Sequence, residues 1–201
     1  MIDLDFVEIG TSNFKTLIEN ATDETKGIAV EPIKYYLDQL PDKLNVKKIN
    51  CAISADNSEK EVEVFYIPEK TIIDNKLPWY LRGCNCIGKY HRDHISQSLK
   101  QYVVREKIKQ IPISTLFMKN QIRSVKNFKI DTEGSDCDIL SHFEKYLRQH
   151  SIEFHPDRIT FETNSLTPKK SIAYIVDLYK NLGYIVETVN KADTTLKKVE
   201  L

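Results

Sequence analysis

Short apolar runs alternate with longer amphipathic segments along most of the chain, and this alternation restricts the folds open to it. Five runs have the length and composition of buried strands: residues 4–9, 27–30, 46–54, 125–131 and 158–163. The segments predicted to be helices are residues 13–21, a stretch ending near 40, 136–149 and 168–182. This order is typical of an α/β fold with a mostly parallel, doubly wound sheet. Residues 184–189 and 195–199 are expected to add a C-terminal antiparallel hairpin.

The middle of the chain departs from this alternation. Residues 62–67 alternate with period two and predict a half-exposed strand, while residues 102–113 resume strand character before a short helix near 115–119. Residues 68–94 show no clear periodicity, and a loop of that length inside a compact domain is usually functional or disordered. Its aromatic residues favour an ordered loop, which makes it a candidate substrate-binding segment.

Size and composition limit the class of protein. A chain of 201 residues suits a single domain spanning residues 1–201 with a real hydrophobic core. A formal net charge of zero does not indicate nucleic-acid binding through general phosphate attraction, so no nucleic-acid partner is expected. No apolar stretch reaches the roughly 18 residues that cross a membrane, and the N-terminus lacks signal-peptide character. The four cysteines are too scattered for a disulfide framework, so we expect free thiols and a cytoplasmic location.

The residues that follow each predicted strand are the first candidates for a ligand site. In an open parallel sheet, ligands bind beyond the carboxyl ends of the strands. The segments in that position are residues 8–13, 31–32, 52–54, 131–134 and 162–164. Several carry an acidic residue beside the apolar run, and such a residue needs solvent or a partner to be tolerated.

The first strand-to-loop turn contains one glycine, Gly10, which lets the backbone turn tightly and approach a ligand. The helix expected after it would offer free N–H groups to a carboxylate. A pattern of three spaced glycines is absent, which argues against a dinucleotide-binding dehydrogenase. Glu31 lies about twenty residues downstream at the end of the next predicted strand, where a carboxylate can accept ribose hydroxyls. Each feature alone also fits an ordinary strand end; together they favour an adenosine-bearing ligand.

Four blocks of sequence resemble the FkbM-type methyltransferases, and the resemblance extends along nearly the whole chain. They are Phe6-Val7-Glu8-Ile9-Gly10, Ala29-Val30-Glu31-Pro32, Asn50-Cys51-Ala52-Ile53-Ser54 and Phe128-Lys129-Ile130-Asp131-Thr132-Glu133-Gly134. The last block is similar to the family's Lys-Ile-Asp-x-Glu-Gly signature, its most specific element. Residues 111–116 also resemble the segment that commonly precedes it.

The resemblance implies a Rossmann-like class I methyltransferase fold, S-adenosylmethionine as methyl donor, and a hydroxyl acceptor on a sugar or natural product. By the same resemblance, Glu31 would hold the ribose. The residues implied to surround the methionine part of the donor are Glu8, Gly10, Thr11, Ser12 and Asn13. Those implied to lie beside adenine are Pro32, Ala52, Ile53 and Ser54.

The chain departs from the family pattern in two places. Phe14 stands where the family usually has a second glycine, so the detailed path of this loop is open. The chain also begins almost at its first strand, so the cover of the site is expected to come from residues 68–94. That start suggests a domain cut from a longer polypeptide with adjacent domains, although Met1 permits a natural start.

The chemistry requires alignment of the acceptor oxygen with the methyl group and, for a sugar hydroxyl, a general base. Asp131 is the first candidate base, and it alternatively binds the donor's amino group or a divalent metal. Glu133 is the second candidate, with capping of the following helix as its structural alternative. His91 is a third candidate. Two acids at this spacing with Glu162 would suit Mg²⁺ or Ca²⁺, and the sequence leaves metal use undecided.

The segment around residues 79–86 mixes an aromatic residue with hydrogen-bond donors, as saccharide sites do. Trp79 would pack against a sugar face, while Arg82 and Asn85 would bind hydroxyls or an anionic group; Glu162 is a further substrate-binding candidate. An ordinary packed loop explains the same residues. Cys84, Cys86, His91 and His94 are too cramped for a usual structural zinc site.

The sequence therefore predicts an S-adenosylmethionine-dependent O-methyltransferase that acts on a hydroxyl of a sugar or glycan, without a membrane partner. The alternatives are O-methylation of a non-sugar small molecule, and a catalytically silent nucleotide-binding or scaffold domain.

Overall fold

The computed structural model describes residues 1–12, 16–83, 85–87, 97–164 and 167–199. In chain order, the strands are β1 (Ile2–Ile9), β2 (Gly27–Val30), β3 (Val46–Ile49), β4 (Ala52–Ser54), β5 (Lys60–Tyr66), β6 (Cys86–Ile87), β7 (Val104–Pro112), β8 (Ile122–Ile130), β9 (Arg158–Glu162), β10 (Tyr184–Val189) and β11 (Asp193–Lys198). The α-helices are α1 (Lys34–Leu37), α2 (Glu69–Asp74), α3 (Ile113–Lys119), α4 (Asp136–Leu147) and α5 (Lys169–Lys180).

The main sheet has the strand order β10–β11–β9–β8–β1–β2–β3. Its five strands from β9 to β3 are parallel, whereas β11 pairs antiparallel with both β9 and β10. The predicted α/β fold with a mostly parallel sheet is therefore confirmed. Strand order reverses at β1, which has β2 on one side and β8 on the other, so the ends of these three strands form the switch point where ligands bind in such sheets.

Helical elements cover both faces of the main sheet. One face carries the largest core cluster, in which side chains such as Val7 and Phe128 pack against α3 and α4 residues including Phe117 and Phe143. The other face is covered near β1 and β2 by Ile18 and by the segment of α1. Among the described residues, no helix has the length and apolar character needed to span a membrane.

A second, smaller sheet lies between β3 and α3 in the sequence, with the strand order β4–β7–β5–β6. The sequence does not predict this sheet. Its outer face carries ion pairs across β5 and β7, including Lys107 with Glu61 at 2.9 Å and Arg105 with Glu63. Its inner face packs Val64 and Tyr66 against Tyr36 of α1, which fixes the small sheet above the carboxyl edge of the main sheet.

Three expectations about local structure are wrong. The predicted strand 46–54 is two strands in different sheets, because Asn50 donates hydrogen bonds to the carbonyl oxygens of Glu31 and Pro32 and turns the chain between them. In the described part of predicted helix 13–21 only a 3₁₀ turn, Ile18–Asn20, forms. There the Leu17 amide donates to the buried Glu8 carboxylate instead of to a helical carbonyl. The helix ending near residue 40 is reduced to the four residues of α1.

The segment 68–94 is also more regular than its sequence indicates. Its described part contains α2, the 3₁₀ helix Trp79–Gly83 and β6, with Ile72 and Leu81 buried in a small core of their own. Residues 84 and 88–94 lie outside the described residues.

Candidate active site

A cavity of about 350 Å³ lies between the carboxyl edge of the main sheet and the inner face of the small sheet. The first strand-to-loop turns supply Ile9, Gly10, Ser12, Glu31 and Pro32, and the segment after β8 supplies Asp131, Thr132, Glu133 and Ser135. The small sheet and its neighbours supply the remaining wall. Residues distant in sequence therefore meet at the switch point of the sheet, the place that the fold reserves for a ligand.

Gly10 joins the ends of three strands. Its amide donates to the Val30 carbonyl oxygen at 2.9 Å, and the Asp131 amide donates to the Ile9 carbonyl oxygen at 2.8 Å. Gly10 has a φ of +79°, and a Cβ atom there would lie 1.7 Å from the Asp131 carbonyl oxygen. A side chain at position 10 is therefore incompatible with this close approach, which sets the floor of the cavity.

The Glu31 carboxylate holds the β1 turn in place. One oxygen, Oε2, accepts hydrogen bonds from the Thr11 amide at 2.9 Å, the Thr11 hydroxyl at 3.2 Å and the Ser12 amide at 2.7 Å. The other, Oε1, accepts one from the Ile33 amide at 2.8 Å, which leaves it capacity for a further donor. Glu31 is only 2% exposed, and burial raises its pKa even though these hydrogen bonds oppose the shift.

Glu8, one strand away, is placed differently. Its carboxylate accepts a hydrogen bond from the Leu17 amide at 2.7 Å and forms an ion pair with Lys129 at 2.8 Å. Burial raises its pKa, opposed by Lys129. Glu8 is fully buried and does not line the cavity, so its contacts support the β1 turn from beneath.

Carboxylates gather where β8 and β9 end. Desolvation, followed by the negative charge of Asp136, raises the pKa of Asp131 to about 6. Desolvation, followed by the charges of Asp131 and Asp136, raises the pKa of Glu162 to about 7. Desolvation of its carboxyl group and the charge of Asp131 likewise raise the pKa of Glu133. Each of these groups takes up a proton more readily than a free carboxylate, as a general base near neutral pH requires.

The buried Asp136 fixes the geometry of this carboxylate group. Its Oδ1 accepts hydrogen bonds from the Thr132 amide at 2.7 Å and the Thr132 hydroxyl at 2.5 Å, and its Oδ2 accepts one from the Glu162 amide at 3.0 Å. The segment then turns through Glu133 and Gly134, whose φ values of 53° and 99° are both left-handed. The end of β8 is therefore connected to the end of β9 through one side chain.

The wall opposite the carboxylates is largely apolar. Val62 and Val64 of β5, Ile87 of β6 and Ile53 of β4 line it from the small sheet, together with Ile33, which precedes α1. Polar groups from Lys60, Asn85 and Gln110 also reach this wall. Among the described residues, the Asn85 side-chain oxygen is buried without a hydrogen-bond partner. The wall thus combines apolar side chains with a few polar residues, one of which has a buried oxygen without a hydrogen-bond partner.

The family model of the FkbM methyltransferase domain matches residues 8–186, which is most of the chain and contains every residue that lines the cavity. The chain belongs to the FkbM methyltransferase family. The family assignment made from the sequence blocks is therefore confirmed, and with it the identification as a methyltransferase. Comparison with curated proteins and with solved structures gives no match.

The FkbM domain brings many of the residues predicted from sequence to the cavity. Those that line it are Gly10, Ser12, Glu31, Pro32, Ala52, Ile53, Asn85, Asp131 and Glu133. Thr11 contacts the cavity only through Glu31, and Ser54 is buried with its hydroxyl donating to the Asp56 carbonyl oxygen. Glu162 lies beside Asp131 without lining the cavity. Asn13 and His91 lie outside the described residues, as do Cys84 and His94 of the improbable zinc cluster.

Trp79 and Arg82 do not line the cavity. The Trp79 ring is 56% exposed, and the Arg82 guanidinium lies over it at 4.2 Å from the ring centroid. Arg82 also approaches Glu69 at 3.4 Å. These residues precede Asn85, which does line the cavity, by six and three positions in the chain.

Within the described residues, no group of three or more His, Cys, Asp or Glu side chains is arranged to hold a metal ion. Asp131, Glu133 and Glu162 influence one another electrostatically, but they do not converge as a ligand set.

Sequence reasoning missed the contribution of the small sheet and of Asp136. The period-two pattern of residues 62–67 does place Val62 and Val64 on one face. It does not show that this face covers the strand ends of another sheet. Asp136 is the second residue after the signature block, but its hydrogen bonds to residues 4 and 26 positions away appear only in the folded chain.

Proposed function

We propose that this FkbM domain is an S-adenosylmethionine-dependent O-methyltransferase whose acceptor is a hydroxyl group of a sugar or glycan. The observation that carries the proposal is the meeting of Gly10, Glu31 and Asp131 in one cavity. A tight turn, a ribose-binding carboxylate and a base-like carboxylate then face the same ligand.

The chemistry of the lining fits the donor. Oε1 of Glu31 has the capacity to accept a ribose hydroxyl. The apolar wall of Ile33, Ile53 and Val64 suits a purine ring. The carboxylates after β8 suit a ligand that carries positive charge, because a cation relieves their mutual repulsion.

Bound S-adenosylmethionine supplies a methyl group on a positively charged sulfur, which is already activated for in-line displacement. The chain has to align the acceptor oxygen with that carbon and remove one proton. Asp131 accepts the hydroxyl proton while the oxygen–carbon bond forms and the carbon–sulfur bond breaks. Glu133, at the same rim, orients the acceptor through hydrogen bonds, and the small sheet excludes water from the site.

A saccharide acceptor is supported by two exposed aromatic residues that shortly precede Asn85 in the chain. Trp79 and Tyr80 are 56% and 62% exposed, and aromatic faces of this kind pack against the C–H surface of a sugar ring. In this proposal the acceptor hydroxyl enters the cavity beside Asn85, while the rest of the saccharide rests on these rings.

Calorimetry with S-adenosylmethionine and with its demethylated product tests the donor assignment. We expect both to bind to the wild-type chain and to bind more weakly to Glu31→Ala. Binding of neither by a folded wild-type chain would instead support the catalytically silent domain.

A labelled-donor screen read by mass spectrometry tests the acceptor. We expect methylation of glycans and free sugars; methylation confined to non-sugar hydroxyl compounds would contradict the saccharide assignment. The same assays with and without a chelator determine whether the reaction depends on a divalent metal.

A further inference from the structure

Asp136 has no place in the proposed chemistry, yet it accepts more hydrogen bonds than the other described carboxylates where β8 and β9 end. It is 2% exposed and accepts hydrogen bonds from both polar groups of Thr132 and from the Glu162 amide. An ordinary first-turn helix carboxylate faces solvent and interacts with its own helix. Asp136 instead turns back to the loop before the helix and across to the neighbouring strand.

Thr132 is the residue between the two candidate acids. Holding its amide and hydroxyl fixes the backbone on either side, and so fixes where Asp131 and Glu133 stand at the cavity. The left-handed conformation of Glu133 makes this segment costly to form unless neighbouring contacts hold it. The hydrogen bond to the Glu162 amide then ties the segment to β9.

We propose that Asp136 is the positioning residue of this site: through Thr132 it holds Asp131 in line with the acceptor oxygen. The inference rests on the proposed function, because it gives Asp131 the role of base. Asp136 does not line the cavity, and so it acts only through its neighbours.

The charge of Asp136 gives it a second effect on the same base. The groups that act on Asp131 are Asp136, Asp193 and Glu8, which raise its pKa, and Lys129, which lowers it. Among these charges, that of Asp136 has the largest effect on the pKa of Asp131, and only desolvation has a larger one. Removing it should make Asp131 a weaker base that ionises at lower pH.

The test compares Asp136→Asn with Asp138→Asn. Both variants remove one carboxylate from the first turn of α4, but Asp138 is exposed and has no role in the rim. In Asp136→Asn we expect kcat to fall on the order of 10²-fold with a smaller change in the donor KM, as for a misplaced reacting group. The acidic limb of the kcat profile should move down on the order of one pH unit. Asp138→Asn should leave both unchanged.

A carboxyl NMR titration of Asp131 gives a readout that does not depend on activity. We expect its midpoint to fall in Asp136→Asn and to stay in place in Asp138→Asn. Thr132→Val, which removes one hydrogen bond and keeps the Asp136 charge, should lower kcat without lowering the midpoint. This variant also keeps the test decisive if Asp136→Asn does not fold.

Equal kinetics and equal Asp131 midpoints in the two Asp→Asn variants would overturn the inference. A wild-type chain that binds no donor while Asp136→Asn still shifts the midpoint would overturn the proposed function and leave the link from Asp136 to Asp131 standing.

Discussion

Glu31 at the end of β2 and Asp131 at the end of β8 line the same cavity in opposite surroundings. Glu31 accepts hydrogen bonds from three backbone amides and one hydroxyl, which hold it in a single position. Asp131 stands among other carboxylates, and desolvation, followed by the charge of Asp136, raises its pKa to about 6. A carboxylate whose oxygens are satisfied by the backbone shapes a site, whereas one surrounded by like charge is ready to take a proton.

The largest expected effect comes from Asp131→Asn, which tests the comparison of Asp131 with Glu31. Removing a general base should lower kcat by about 10²–10⁴-fold, while the unfolding free energy stays the same or rises because one repelling charge is gone. Steady-state kinetics and urea unfolding measure the two effects. Asp193→Asn is the matched control, because Asp193 lies near Asp131 without lining the cavity. Near-normal turnover in Asp131→Asn would remove it as the base.

Glu31→Gln should reduce stability and donor binding, whereas Asp131→Asn should reduce turnover. Glutamine keeps only one accepting oxygen, so either the Thr11 and Ser12 contacts or the Ile33 contact loses its acceptor. We therefore expect a loss of about 1–3 kcal/mol in unfolding free energy together with weaker donor binding. Urea unfolding and calorimetry check both. Glu24→Gln, an exposed residue in the same β1–β2 connection, should change neither. Full stability in Glu31→Gln would show that the backbone contacts do not hold the turn.

The carboxylates after β8 and β9 predict that stability falls as pH rises. Asp131 and Glu162 have folded pKa values of about 6 and about 7, above their ordinary values, so the folded chain binds more protons than the unfolded chain between about pH 4 and 7. Their contribution is present at low pH and is lost as pH rises through this window. The buried His155 acts in the opposite direction, because burial lowers its pKa.

The difference in unfolding free energy between wild type and a variant therefore measures the contribution of one carboxylate better than the pH dependence of wild type alone does. Relative to wild type, Asp131→Asn should gain on the order of 1 kcal/mol in unfolding free energy between pH 5 and pH 8, after allowance for solvent screening. Denaturant unfolding at a series of pH values provides the measurement. Parallel curves for the two proteins would show that Asp131 has an ordinary pKa.

The smallest expected effect concerns the approach to the cavity. Trp79→Ala should raise the acceptor KM by a few-fold, corresponding to about 0.5–1.5 kcal/mol of lost aromatic contact, and should leave donor affinity unchanged. Met118→Ala, an exposed apolar residue on α3, is a control that should alter neither. A change in donor affinity with Trp79→Ala would place the ring nearer the donor than proposed.

The sequence predicts what depends on local patterns. The alternation of strands and helices, Gly10 and Glu31 follow from spacing and residue type, whereas the block ending in Gly134 follows from its resemblance to the family signature. The structure gathers Gly10, Glu31 and residues of that block at one edge. Prediction from sequence fails where groups distant in the chain compete for the same backbone hydrogen-bonding groups. Glu8 takes the Leu17 amide that the predicted helix needs, and Asn50 turns the predicted third strand into a second sheet. Neither competition has a signal within a short window of sequence.

The strands of the small sheet come from the part of the chain between β3 and α3, and the sheet lies beside the strand ends that it covers. The residues that meet at Gly10, Glu31 and Asp131 all lie outside it. The segment 52–112 joins the rest of the fold at neighbouring positions, because its first and last strands pair with each other. Its outer face and connections can therefore change without moving those three residues, whereas its inner face is constrained by Ile53, Val64 and Asn85, which line the cavity. For engineering, the outer face and connections are the parts to exchange, while the cavity-lining positions are kept.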